Sequence, residues 1–145
     1  KRYSGNKGTK VKELMRFITD RITTTCVMHI SKDPYLSEYL DVIKDLLSDS
    51  ILVDNQGAIS FYHASLYDFC FARYFILEGK DLVVYVLESD QGFFIRPQLK
   101  MILDYLRDLD SNKYIYYIRT LLGGKMLDFI SNCYCLISLA LEVSP

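Results

Sequence analysis

The sequence predicts a mainly α fold with one β-hairpin, its second half an antiparallel helical subdomain. Three observations carry this. Apolar residues recur at helical spacing over most of the 145 residues, and half of all residues are hydrophobic. Two short apolar runs flank the turn signal Asp54-Asn55-Gln56-Gly57. Gly and Pro are few, seven and three, so the chain is neither collagen-like nor low in complexity. Its apolar content and a net charge of -1 also exclude an intrinsically disordered chain.

Residues 1–12 hold Lys1, Arg2, Lys7, Lys10 and Lys12 and no acid, against 12 basic and 18 acidic residues in the remainder. Residues 1–10 read as a solvated basic linker, and a basic arm for nucleic acid or anionic lipid is the alternative. Residues 11–29 read as a helix through Val11, Leu14, Met15, Ile18 and Ile22. The run Thr23-Thr24-Thr25 weakens its end, because β-branched side chains lose rotamer freedom in a helix. Asp33 then suits an N-cap and Pro34 a first helical position. Leu36, Tyr39, Leu40, Ile43 and Leu47 make one stripe up to about Asp49. The hairpin Ile51–Phe61 follows. Helix, helix, hairpin is the order of a winged-helix-like subdomain, assigned here to residues 11–64.

Residues 65–145 form the helical subdomain. Ser65 is placed to cap a helix over 65–78, with Asp68 at the capping-box position. Gly79 ends it. Leaving almost no polar face, this helix must be buried against several neighbours. Leu82–Glu88, a short helix or the end of the previous one, then Pro97–Leu109 and a helix opened by Ser111 or Asn112 and stopped by Gly123-Gly124 come next. A last helix runs from Lys125 or Met126 to about Leu141. Its uncharged stretch between Asp128 and Glu142 is 13 residues, short of the ~20 that a membrane span needs. No membrane association is expected.

Few residues support chemistry. Gly5-Asn6-Lys7-Gly8-Thr9-Lys10 and Gly123-Gly124-Lys125 both fail the phosphate-loop spacing. Cys26, Cys70, Cys133 and Cys135 show no disulfide framework, and no signal peptide precedes them. That points to reduced, intracellular cysteines in a cytoplasmic protein. With His29 and His63 the cysteines make no zinc-ligand spacing, so no metal is expected. The helix 34–49 carries Glu38, Asp41, Asp45 and Asp49 against Lys44. DNA phosphates would repel it, so no DNA partner is expected. The chain begins with Lys rather than Met, which suggests a piece of a longer protein.

Residues 61–75 are the most specific segment: Phe61-Tyr62-His63-Ala64-Ser65-Leu66-Tyr67-Asp68-Phe69-Cys70-Phe71-Ala72-Arg73-Tyr74-Phe75. This resembles the F-x-H-x-S-x-x-E-[FY]-x-A-A-x-x-[FL] segment that joins winged helix to helical region in NACHT-type STAND ATPases. Phe61, His63, Ser65, Phe69, Ala72 and Phe75 match. Asp68 stands where the family has Glu, and Phe71 where it has the first Ala. With the element order, the resemblance covers about residues 11–78. It implies the regulatory part of a signalling NTPase in immune or antiviral defence, which senses nucleotide state and controls oligomerisation. His63 would contact a phosphate of bound ADP. Phe61, Phe69, Ala72 and Phe75 would be core, with Ser65 and Asp68 as cap and junction. No catalytic residue is expected in this piece. ADP or ATP with Mg would be held by an upstream ATPase domain of the same chain, and a homo-oligomer would form on activation. The competing reading is a helical protein-interaction module that never meets nucleotide. An enzyme in its own right is the least supported.

Overall fold

The computed structural model describes residues 3–31, 34–89 and 95–123. These are mainly helical, with a single two-stranded antiparallel sheet among them. The chain divides after Phe71 into two compact units, Lys1–Phe71 and Ala72–Pro145. The sequence boundary at residues 64/65 thus falls seven residues short of the observed one.

The first unit opens with helix α1, Asn6–Thr25. It starts inside the segment expected to be a linker. Lys7 pairs with Asp45, and the Tyr3 hydroxyl donates to Asp49, so this basic arm is held by carboxylates of its own unit. Leu14, Ile18 and Ile22 are fully buried. The threonine run is nevertheless helical, and each hydroxyl donates to a carbonyl four residues back. Thr23, Thr24 and Thr25 bond Thr19, Asp20 and Arg21 at 2.8 Å each. The helix stops at Cys26, which takes a left-handed conformation with φ 54°. That is short of the expected end at residue 29.

Asp33, the expected N-cap, lies outside the described residues. Pro34 opens a 3₁₀ helix, Pro34–Tyr39, which passes into α2, Leu40–Ser48. The single helix expected over this stretch is therefore two segments. Val42, Ile43 and Leu46 face the core. Ser50, at φ 55°, closes α2 through Ser50 N–H to Leu47 O and Ile51 N–H to Leu46 O.

Strands β1, Leu52–Asn55, and β2, Ala58–Phe61, pair in the register Leu52 to Phe61 and Asn55 to Ala58. Gln56 and Gly57 form a two-residue turn at φ 57° and 88°. Positive φ at both centres matches the right-handed twist of the flanking strands. The Asp54 carboxylate accepts from Gly57 N–H at 2.6 Å. A third partner was not foreseen. Ile30 bridges to Ile59 with two backbone hydrogen bonds of 2.8 Å. The described order in this unit is α1, the Ile30 bridge, the 3₁₀ helix, α2 and the hairpin.

Helix α3, Ala64–Leu77, contributes residues to both units. Its end is a Schellman cap: Gly79 at φ 66°, Gly79 N–H to Ile76 O, and Lys80 N–H to Phe75 O.

In the second unit, α4, Leu82–Glu88, is capped by Asp81, whose carboxylate accepts from Val83 and Val84 N–H. Helix α5, Ile95–Leu109, buries Leu99, Ile102, Leu103 and Leu106 as the stripe predicts. It starts two residues before Pro97, whose missing N–H costs nothing in the first turn, where that donor has no intrahelical acceptor. Helix α6, Ser111–Gly123, packs on α5 and α4. Its cap is Asp110, which accepts from Lys113 N–H at 3.1 Å, rather than Ser111 or Asn112. The predicted helix 125–141, with Gly124, Cys133 and Cys135, lies outside the described residues.

The Tyr114 hydroxyl is buried with no hydrogen-bond partner among the described residues. An orphaned buried hydroxyl costs about 1–3 kcal/mol. Tyr114→Phe is expected to raise stability by about 1 kcal/mol, read as a higher urea midpoint at unchanged m-value.

Candidate functional site

The junction between β2 and α3 is two residues long, Tyr62 and His63. It is fixed from both sides. Tyr62 N–H donates to Ile51 O at 3.0 Å, and Leu66 N–H to His63 O at 3.0 Å. Phe61, 6% exposed, anchors the strand end beside the Tyr67 ring at 6.2 Å. Tyr67 is 2% exposed, and its hydroxyl lies 3.1 Å from Thr23 Oγ1 of α1. The first turns of α3 are therefore tied to α1 and to β2 at once. Tyr67 was not singled out from the sequence. Its spacing to Phe71 was the available signal, and those rings sit 6.2 Å apart.

This scaffold presents His63 outward. Its ring meets Tyr62 edge-on at 4.8 Å and is exposed. Its imidazole makes no hydrogen bond or ion pair among the described residues, so both ring nitrogens are available to a ligand. A cleft of about 490 Å³ lies elsewhere in the same unit, lined by Arg21, Thr25, Val27, His29, Ile30, Ser31 and Pro34.

The structure separates the other motif residues. Phe61, Ala72 and Phe75 are buried, at 6%, 0% and 4% exposure. Phe69, expected in the core, is 41% exposed. A helix apolar on every side gives no phase from which to choose its buried face, and α3 turns Phe69 outward with Ser65 and Arg73. Ser65 is not the cap. The helix begins at Ala64, which puts Ser65 inside the first turn, exposed and without a side-chain hydrogen bond. Without that cap there is no capping box, and Asp68 has another character. It is 8% exposed and has neither hydrogen bond nor ion pair among the described residues. Burial alone raises its pKa from 3.8 to about 6. Cys70 is buried as a small apolar side chain, whereas Cys26 is exposed.

No protein-family model, curated protein or solved structure matches the chain. Among the described residues no three His, Cys, Asp or Glu side chains gather where they could hold a metal ion. No described helix is long and apolar enough to cross a membrane.

Proposed function

We propose that this chain is the winged-helix and helical regulatory part of a STAND/NACHT-like signalling NTPase, with His63 as its nucleotide-sensing residue. One observation carries the reading. His63 stands at a strand-to-helix junction held by backbone hydrogen bonds on both sides, exposed and without a hydrogen-bond partner for its ring among the described residues. A histidine serving only to fix the junction would spend its ring nitrogens on nearby carbonyls. The element order before it and the segment 61–75 agree with the reading.

The chemistry is a single contact. An imidazolium donates a charge-assisted hydrogen bond to a phosphate oxygen. The nucleotide, ADP or ATP with Mg, would be bound by an ATPase domain elsewhere in the same protein. Held against ADP, His63 would favour a resting arrangement, and loss of the contact would release it. Such a contact shifts the balance only by its preference for one nucleotide state. The output would be controlled oligomerisation in cytoplasmic defence signalling.

In the full-length protein, His63→Ala is expected to speed ADP release about tenfold, the loss of one charged hydrogen bond, and to raise basal signalling. Because the side chain is exposed, the melting temperature should not move. An unchanged ADP off-rate with unchanged signalling would overturn the reading in favour of an interaction module that meets no nucleotide.

A further inference from the structure

The described residues of the second unit carry an exposed surface of mixed character. On α4, Leu87 is 67% and Val84 48% exposed, and on α6 Tyr116 is 58% and Ile115 41% exposed. The two helices pack against each other. Large apolar side chains this exposed on adjoining helices mark an interaction surface. Their charges have opposite sign. Helix α4 carries Glu88 and is capped by Asp81, with no cation between them. Helix α6 holds Lys113 and Arg119 and no acid. Glu88, Lys113 and Arg119 form no ion pair among the described residues. The outer face of α6 also bears an open cleft of about 420 Å³, lined by Asn112, Ile115, Tyr116, Arg119 and Thr120.

We infer that this face binds a second copy of the same chain, α4 of one copy on α6 of the other. Leu87 would enter the α6 cleft beside Tyr116 and Ile115, bringing Glu88 to Arg119. The argument for self-association is complementarity. The acidic apolar helix and the basic apolar helix belong to one unit, so a two-fold axis satisfies both pairings at once and closes the assembly. A foreign partner would have to reproduce both halves. Tyr and Arg at the centre of such a contact are the side chains that most often dominate binding. The inference is independent of His63 and of any nucleotide.

Sedimentation velocity of the full chain without nucleotide, from micromolar to near-millimolar concentration, tests it. A concentration-dependent monomer–dimer equilibrium is expected. Leu87→Ser should weaken it by about tenfold or more. Glu88→Arg and Arg119→Glu should each weaken it, and the double variant E88R/R119E should restore it. All three substituted positions are exposed, and circular dichroism checks that each variant is folded. A chain that stays monomeric throughout overturns the inference. So does a dimer that Leu87→Ser leaves intact, or a double variant no stronger than the single ones.

Discussion

Asp68→Asn is expected to stabilise the chain by about 2 kcal/mol near neutral pH and to have no effect in acid. The buried carboxyl has its pKa raised from 3.8 to about 6 by burial. Below 3.8 it is protonated in both the folded and the unfolded chain, and its ionisation takes nothing from stability. Between the two values the folded chain binds more protons than the unfolded one, so stability falls as pH rises. Above about 6 the full penalty of a buried carboxylate with no partner among the described residues is present. Asparagine keeps the shape and cannot ionise. Chemical denaturation across this pH range should give two curves that coincide in acid and diverge through the Asp68 titration. Parallel curves would mean that the carboxylate finds a partner or water.

Phe61→Ala is expected to act in the opposite direction and more strongly, costing about 3–5 kcal/mol. Phe61 is 6% exposed, ends β2 and faces the Tyr67 ring. Its removal leaves a cavity where strand, α3 and the Thr23–Tyr67 contact meet. The loss should show as a lower urea midpoint together with faster hydrogen exchange at Tyr62 and Leu66, the two junction amides. A cost below 1 kcal/mol would mean that this junction is not packed as described.

How much of this was legible depends on the kind of signal each residue gives. Asp54 and Gly57 named the hairpin because a tight turn demands positive φ and an acceptor for its free N–H. Leu99, Ile102, Leu103 and Leu106 named the buried side of α5 because their spacing is that of one helix face. Gly79 named the end of α3. Local chemistry was enough in each case. The site was less legible. The sequence could mark His63 only by resemblance, and its exposure follows from where β2 ends. Ser65 and Asp68 look like a capping box three residues apart, but starting the helix at Ala64 cancels it. Phe69 and Phe71 are chemically alike, and only the packing of the surrounding elements turns one outward and the other in. Ile30 makes a single-residue bridge, too short to leave a periodic trace.

Helix α3 is shared between the two units, and this governs how the chain can be divided. Its first two turns hold Tyr67, whose hydroxyl meets Thr23 across 44 residues of sequence. Its later turns hold Phe75, packed edge-on against Tyr85 at 5.1 Å. A cut between β2 and α3, where a loop invites one, would strip Tyr67 from the first unit. A cut at the 71/72 boundary would sever a continuous ladder of helical hydrogen bonds. No single point of cleavage yields both halves whole. Truncations made to isolate the hairpin portion should therefore run through Gly79 and keep the entire helix with its cap.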